Sequence, residues 1–171
     1  HEVKTQLIGE YNFPNALAAI TIGRLFDVEP EKIDIALAEY APQNNRSQLK
    51  QTADNTLIID AYNANPTSMQ ASISNFHNMK VENKMLILGD MRELGKDGPE
   101  EHQKIADFLT ECGFKNVMLV GEQFAAAKHN FPTYPDAPAV IEALQKSKPH
   151  GKTILIKGSN GIKLSTVIDY L

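Results

Sequence analysis

Three short polar clusters along this chain carry side chains that could bind or activate a substrate. The first, at residues 60–66, reads Asp-Ala-Tyr-Asn-Ala-Asn-Pro and follows an apolar run. A carboxylate placed there can accept hydrogen bonds from ribose hydroxyls. The N–H groups of a following helix favour an anion by about 0.3 to 1 kcal/mol. In the alternative interpretation Asn65 caps that helix and Asp60 closes a turn, which leaves Tyr62 and Asn63 unexplained.

The second cluster, at residues 88–95, reads Leu-Gly-Asp-Met-Arg-Glu-Leu-Gly. Asp90 and Glu93 flank Arg92 in a stretch rich in turn-forming residues, so the two acids could hold an ammonium group. The alternative is that both acids are solvated loop charges. The residues alone leave these two interpretations open.

The third cluster, at residues 156–161, reads Ile-Lys-Gly-Ser-Asn-Gly. Lys157 and Ser159 stand beside glycines, which allow a backbone to approach a ligand closely. This pattern suits contact with a carboxylate or a phosphate. The alternative is an exposed lysine next to a turn.

Other common site types find little support in the sequence. Residues 151–153, Gly-Lys-Thr, lead into a predicted strand, whereas a phosphate-binding P-loop must follow one, and residues 89–96 have the wrong glycine spacing. No triphosphate-binding loop is therefore predicted. The five histidines lack paired zinc-site spacing, so no metal site is predicted.

The elements that must position these clusters alternate between strand and helix. Two helices are predicted between residues 13 and 40, followed by a polar loop. Four apolar runs then have the length of buried strands and are separated by amphipathic helices: Thr56 to Tyr62, Lys84 to Asp90, Asn116 to Gly121 and Thr153 to Ser159. A final helix is predicted from about Gly161 to Leu171. This order predicts an α/β fold with a doubly wound, mostly parallel sheet, an N-terminal helical appendage, and ligands at the carboxyl ends of the strands.

Composition excludes several broad classes of function. The 171 residues carry a net charge of −4, which does not favour nucleic acid as a partner. No apolar run approaches the ~20 residues that a membrane span requires. The chain begins at His1 without an initiator methionine or a signal segment, which predicts a piece of a longer protein, with a cytoplasmic location as the default.

The polar clusters, together with two further segments, resemble the Mur ligases. These are ATP-dependent, amide-forming enzymes of bacterial cell-wall (peptidoglycan) synthesis. The similar segments occur in the family's order, at residues 9–19, 45–47, 59–69, 88–95 and 157–159. The blocks at 60–66 and 89–95 resemble most closely the member that joins D-alanyl-D-alanine to UDP-N-acetylmuramoyl-tripeptide.

The resemblance implies a place for each part of the chain within a three-domain ligase. Residues 1–41 correspond to the helical tail of the central ATPase domain. Residues 42–171 correspond to the Rossmann-like carboxy-terminal domain. The family's chemistry makes an acyl phosphate from ATP and the acceptor carboxylate, and the amine then attacks it. Mg²⁺ would be held mainly by the missing central domain, so this piece is expected to position ATP and the amine and to be inactive alone.

The resemblance also implies roles for individual residues. Asn12 and Asn15 would approach the adenine, although Tyr11 stands where the family usually has His. Arg46 and Lys157 would be the catalytic cations, with Arg46 at the phosphates. The remaining implied contacts are Asp60 with the ribose, Tyr62, Asn63 and Asn65 with the nucleotide or the dipeptide, and Asp90, Glu93 and Ser159, with Lys157, near the dipeptide.

Two rival functions stay open. Another ligase of the superfamily, adding a different amino acid or extending folate with glutamate, would share most of these motifs. A phosphoacceptor signalling domain would also place Asp60, Asp90 and Lys157 at strand ends, although such domains usually bring paired acids after the first strand, where Ala61 and Tyr62 stand here.

Overall fold

The computed structural model describes residues 2–43 and 45–171, which form a six-stranded sheet flanked by helices. The α-helices are α1 (Phe13–Leu25), α2 (Pro30–Glu39), α3 (Pro66–Asn78), α4 (Gly98–Glu111), α5 (Glu122–Ala126) and α6 (Ala137–Lys146). The strands are β1 (Gln48–Gln51), β2 (Thr56–Asp60), β3 (Lys84–Gly89), β4 (Val117–Val120), β5 (Thr133–Tyr134) and β6 (Thr153–Lys157). Short 3-10 segments lie at Glu10–Asn12, Gly95–Asp97, Asn160–Ile162 and Leu164–Tyr170.

The strand order across the sheet is β1-β2-β6-β3-β4-β5. β1 pairs antiparallel with β2, and every other pairing between these strands is parallel. The predicted α/β fold with a mostly parallel sheet is therefore confirmed. Because the parallel strands run the same way, their carboxyl ends share one edge, where a ligand site is expected.

Two apolar cores cover the two faces of the sheet, because successive strand residues point to opposite sides. Leu57 and Ile59 of β2 pack toward α6 and the segment 164–171, whereas Ile58 packs toward α3 and α4. β6 repeats this alternation, with Ile154 and Ile156 on the first face and Leu155 on the second. The sheet is thus doubly wound, with helices on both faces.

Three elements differ from the sequence prediction. β1 and β5 were not predicted: β1 reads Gln-Leu-Lys-Gln and β5 has only two residues, so neither shows an apolar run. The predicted final helix is instead 3-10 in form. Lys163 takes a left-handed conformation, with φ of 58°, and interrupts the segment just after it begins.

The predicted N-terminal helical appendage is present as α1 and α2, but much of its apolar surface is exposed. α1 has no buried residue, and α2 buries only Ile33 and Leu37. Phe13, Leu17, Ile22, Leu25 and Phe26 are each at least half exposed. None of the helices in residues 2–43 and 45–171 has the length and apolar character needed to cross a bilayer.

Candidate nucleotide-binding cleft

A cleft of about 1110 Å³ lies between the helical appendage and the carboxyl ends of β2 and β6. It is bounded on one side by residues of the 10–12 turn, α1 and α2, and on the other by the start of α3 and the loop before β1. Eight of the eleven residues predicted for the site line it: Asn12, Asn15, Arg46, Asp60, Tyr62, Asn63, Asn65 and Lys157. The fold thus gathers the first and third polar clusters with the asparagines near the N-terminus.

An ion pair between Asp60 and Lys157 forms the floor of this cleft. The two residues are paired in register as the last residues of the adjacent strands β2 and β6. Lys157 Nζ lies 2.6 Å from Asp60 Oδ2 and donates a second bond of 3.3 Å to the Asn63 carbonyl oxygen. The Lys157 side chain is 2% exposed and that of Asp60 is 15% exposed. Lys157 is therefore a buried, paired cation, and the exposed-lysine interpretation is wrong.

The Asp60 carboxylate also ties the surrounding elements together. Its Oδ2 atom accepts a hydrogen bond of 3.2 Å from the Ser72 hydroxyl on α3. Its Oδ1 atom accepts one of 3.3 Å from the Ser47 backbone N–H. With Lys157, the carboxylate thus has three donors while still lining the cleft. Such an acceptor-rich group can bind a hydroxyl of a ligand as well.

Arg46 projects at the mouth of the cleft from a backbone with unusual geometry. Asn45 and Ser47 on either side of it both have positive φ, at 58° and 45°. The Arg46 guanidinium carbon lies 3.7 Å from the centroid of the Tyr62 ring. Stacking on one face leaves the N–H edges of a guanidinium free to bind an anion such as phosphate.

The start of α3 is held by a capping box. Asn65 Oδ1 accepts a bond of 2.8 Å from the Ser68 N–H, and the Ser68 hydroxyl accepts one of 3.1 Å from the Asn65 N–H. The capping interpretation of Asn65 is thus confirmed. Its side-chain oxygen, Oδ1, is used in the hydrogen bond to the helix. Tyr62 and Asn63, which capping left unexplained, are exposed and line the cleft.

The opposite wall carries Asn12, which precedes α1, and Asn15, which lies in the first turn of α1. Asn12 is buried, and its carboxamide donates to the Ile8 carbonyl and accepts from Asn15 Nδ2 at 3.0 Å. Asn15 is exposed at the cleft. Next to them, the Tyr11 hydroxyl lies 3.0 Å from the Ser47 hydroxyl. Burial raises the pKa of the Tyr11 phenol; the Ser47 hydrogen bond opposes this rise and the nearby Asp60 charge adds to it.

Asp90 and Ser159, predicted to lie near the dipeptide, are buried in structural contacts outside this cleft. The Asp90 oxygens accept hydrogen bonds of 3.0 Å from the backbone N–H groups of Gln123 and Phe124, which begin α5. The Ser159 hydroxyl accepts one of 2.9 Å from the Arg92 N–H. Asp90 borders a separate hollow of about 280 Å³, and Glu93 is exposed. A role for these three residues at a dipeptide stays a prediction.

Sequence reasoning missed four residues that organise these sites. Tyr11, Ser47 and Ser72 surround Asp60, and His102 lies beneath Asp90, where its Nε2 accepts from the Met91 N–H at 3.0 Å. Ser72 had a readable signal, because it is a polar residue on the buried face of α3. Tyr11 and Ser47 lie within the family-like segments 9–19 and 45–47, but nothing in the sequence placed them beside Asp60, and His102 had no pattern of spacing that linked it to Asp90.

Comparison with known proteins decides the family. The family described as "Mur ligase, glutamate ligase domain" matches residues 45–160, which is more than half of the chain. The chain belongs to the Mur ligase family. The resemblance seen in the sequence motifs is confirmed.

Relatives of this Mur ligase chain include a UDP-N-acetylmuramoyl-tripeptide--D-alanyl-D-alanine ligase of Bacillus subtilis. It is 32% identical over 173 residues, covering 95% of this chain and 38% of the relative. A crystal structure of MurF from Acinetobacter baumannii is 28% identical with a TM-score of 0.85, covering 98% of this chain and 39% of that one. The chain therefore spans about 38% of the length of the curated relatives it matches.

The fold of this Mur ligase chain also matches a MurF ligase from Thermotoga maritima that was solved in complex with ADP. The TM-score is 0.80 at 20% identity, and the match covers 96% of this chain and 38% of that one. At 20% identity this match supports the fold alone.

Proposed function

We propose that this chain is the carboxy-terminal portion of an ATP-dependent ligase of peptidoglycan synthesis. The proposed reaction joins D-alanyl-D-alanine to UDP-N-acetylmuramoyl-tripeptide through an acyl phosphate, in the cytoplasm. One observation carries the proposal: a guanidinium, a buried ion pair and two carboxamides from distant parts of the sequence face one cleft. The relatives named above supply the reaction class, since the members they represent are D-alanyl-D-alanine ligases.

The chemistry of the cleft suits a nucleotide. Arg46 at the mouth can bind phosphate oxygens through its free N–H edges. Asp60 on the floor can accept from ribose hydroxyls, and Asn15 on the opposite wall can hydrogen-bond a base edge. The volume of about 1110 Å³ is slightly above the ~300 to 1000 Å³ usual for ligand sites, which leaves room for a second group beside a nucleotide.

The same residues do not suit a resident magnesium ion. In the part of the chain that the structure describes, no three or more His, Cys, Asp or Glu side chains converge on a point that could hold a metal. Asp60, the one acid among the described residues that line the cleft, is already paired with Lys157. We therefore assign Mg²⁺ mainly to the upstream part of the complete protein.

The role of this chain in such a reaction is to position the reactants. Stabilising the charge of phosphoryl transfer takes metal ions and several preorganised cations. Three cations line this cleft among the described residues: Arg46, Lys157, which is paired with Asp60, and Lys32, which is paired with Glu29. Holding amine and acyl phosphate in alignment can be worth about 7 to 11 kcal/mol in well-oriented systems. The exposed apolar face of α1 would then pack on the upstream domain, with residues 1–41 as the tail of that domain.

The proposal is tested by replacing Arg46 in the complete protein. Arg46→Ala should lower turnover about ten- to hundredfold, which corresponds to losing one charge-assisted hydrogen bond. It should lower Tm by no more than about 1 to 4 °C, because Arg46 is exposed in a loop and its stacking on Tyr62 is worth about 0.5 to 1 kcal/mol. Lys50→Ala serves as the matched control, since Lys50 is an exposed cation on β1 outside the cleft. Unchanged turnover in Arg46→Ala would contradict the proposal.

A second test uses the 171-residue chain by itself. Supplied with ATP, Mg²⁺, UDP-N-acetylmuramoyl-tripeptide and D-alanyl-D-alanine, it should release no phosphate. Phosphate release at a rate near that of the complete protein would show that positioning is not its only role. Titration of ADP into the isolated chain should show weak binding that Arg46→Ala weakens further.

The rival functions give different results. Offering the complete protein D-alanyl-D-alanine, single amino acids and glutamate separates this ligase from others of the superfamily, because only the preferred amine should drive phosphate release. Labelling with acetyl phosphate tests a phosphoacceptor role. The structure argues against that role, since Asp90 is 5% exposed and bonded to the backbone of α5.

A further inference from the structure

We propose that Tyr11 is a positioning residue for Arg46, and that its hydroxyl holds the Arg46-bearing loop against the wall of the cleft that carries Asn12 and Asn15. This inference rests on the proposed nucleotide role of the cleft. It gives a role to Tyr11, which stands where the family usually has His and to which the sequence assigned no function. Tyr11 also lines the cleft, and its proposed effect on Arg46 is exerted through the loop.

The loop around Arg46 has a conformation that needs support from its surroundings. Asn45 and Ser47 both lie in the left-handed region, with φ of 58° and 45°. A residue other than glycine in that region costs of order 1 kcal/mol or more, and such geometry persists only where neighbouring contacts hold it. Arg46 is flanked by both strained positions, so its direction depends on those contacts.

Within the loop the Arg46 N–H donates to the Gln43 carbonyl at 3.4 Å. Among the described residues, three further contacts join the loop to other parts of the chain. The Ser47 N–H donates to Asp60 at the end of β2. The Arg46 guanidinium stacks on Tyr62, which follows β2. The third contact, from the Ser47 hydroxyl to the Tyr11 hydroxyl at 3.0 Å, is the one that reaches across to the helical appendage.

The hydrogen bond between Tyr11 and Ser47 is costly to break. Ser47 is buried, so a lost phenol would leave its hydroxyl without that partner in a place that water reaches poorly. Burial raises the pKa of the Tyr11 phenol above its ordinary value of 10.0, so the phenol is protonated at neutral pH and can donate.

The position of Tyr11 links the two walls of the cleft. Tyr11 and Asn12 belong to the same 3-10 turn, and Asn12 in turn accepts from Asn15. Arg46 and Asn15 would contact opposite ends of one nucleotide, so their separation must match the ligand. Fixing Ser47 to Tyr11 sets that separation before the ligand binds, which lowers the ordering cost of binding.

Limited trypsin digestion of the 171-residue chain tests the physical part of the inference. Trypsin cuts after Arg46, and cleavage there reports how often this loop opens. Tyr11→Phe should speed cleavage after Arg46 by about two- to tenfold, as expected for one lost hydrogen bond. Cleavage after Lys115, exposed and distant in sequence, is the internal reference. Tyr170→Phe, outside the cleft lining, is the matched control and should change neither rate.

Partner substitution shows whether the two hydroxyls act as a pair. Ser47→Ala should speed cleavage after Arg46 to a similar degree. The double variant should be no faster than the faster single variant, because both changes remove the same bond. Equal acceleration after Arg46 and Lys115, no acceleration in Tyr11→Phe, or additive effects in the double variant would each overturn the inference.

Kinetics of the complete protein test the link to function. Tyr11→Phe should reduce turnover less than Arg46→Ala, and the double variant should match Arg46→Ala, because a positioning residue has nothing to position once Arg46 is gone. If Tyr11→Phe lowered the turnover of the Arg46→Ala protein by the same factor as it lowers that of the unchanged protein, Tyr11 would not act by positioning Arg46. If the digestion result holds while Arg46→Ala leaves turnover unchanged, the proposed function fails and the Tyr11 contact stands.

Discussion

Replacing Asp60 with Asn would test whether the buried lysine at the floor of the cleft depends on its carboxylate partner. The change keeps the shape of the side chain and removes its charge. Lys157 would then be left 2% exposed with a neutral amide and the Asn63 carbonyl, 3.3 Å away, as its polar neighbours. An ammonium in such a place has lost most of its hydration without gaining a counter-charge.

The expected loss of stability follows from the burial of the pair. Removing one partner of a buried ion pair costs about 3 to 5 kcal/mol. The lower end applies here, since Asp60 lines an open cleft and its side chain is 15% exposed. A loss of about 3 kcal/mol corresponds to a fall of roughly 6 to 12 °C in Tm for a chain of this size.

The reverse substitution should be milder. In Lys157→Met the Asp60 carboxylate keeps the Ser47 N–H and the Ser72 hydroxyl as donors, together with some solvent. The apolar part of the lysine is also replaced by a side chain of similar length. We expect a loss of about 1.5 to 2 kcal/mol, the lower end of the range for a hydrogen bond to a charged group.

Urea denaturation followed by circular dichroism measures both variants against the unchanged chain, without any ligand. The reasoning predicts an order, with Asp60→Asn less stable than Lys157→Met and both less stable than the unchanged chain. If the free energy of unfolding of Asp60→Asn lay within about 0.5 kcal/mol of that of the unchanged chain, Lys157 would not be a desolvated cation that depends on its partner. If Lys157→Met were less stable than Asp60→Asn, the argument that Lys157 depends on the pair more than the less buried Asp60 does would be wrong.

Two further predictions concern parts of the molecule outside the cleft. Gly121→Ala should destabilise the chain by at least about 2 kcal/mol in the same denaturation assay, because Gly121 has φ of 121° and an added Cβ would overlap the Asp90 carboxylate. Gly113→Ala, at φ of 72° with open space around it, separates backbone strain from this overlap and should cost less. The pKa of Asp54 is lowered from 3.8, first by its hydrogen bond with Lys148 and then by that with His150. This contribution is present above pH 3.8 and is lost as the pH falls through the lowered value. Thermal melts of Asp54→Asn should therefore lie below those of the unchanged chain at pH 6 and converge with them at lower pH, and a gap that widened with acidity would contradict the assignment.

Much of the fold could be predicted because its strands and helices are marked locally. β2, β3, β4 and β6 are continuous apolar runs, as expected of strands buried on both faces. α3, α4 and α6 begin with proline in their first turn. β1 escaped prediction because an exposed edge strand needs no apolar pattern, and its hydrogen bonds to β2 are what make it a strand.

In the candidate site, too, the features marked by neighbouring residues could be predicted, whereas those that depend on distant residues could not. The polar clusters were visible because each follows a strand, and Asn65 was recognisable as a cap from the next few residues alone. That Asp60 pairs with Lys157, 97 positions later, was not visible, because it depends on β6 lying beside β2. The contact of Tyr11 with Ser47 depends likewise on how the appendage packs.

The amino-acid sequence by itself determined the four apolar strands β2, β3, β4 and β6, where the main helices begin, and which face of each of these strands a residue occupies, because these follow from the backbone and its near neighbours. Asp60, Asp90 and Lys157 share strand parity with Ile58, Leu88 and Leu155, so all three point to one side of the sheet. Only the tertiary structure decided that Asp60 and Lys157 meet at a cleft while Asp90 is bound to the start of α5. Strand order and helix packing set those neighbours, and both depend on contacts between residues far apart in the chain.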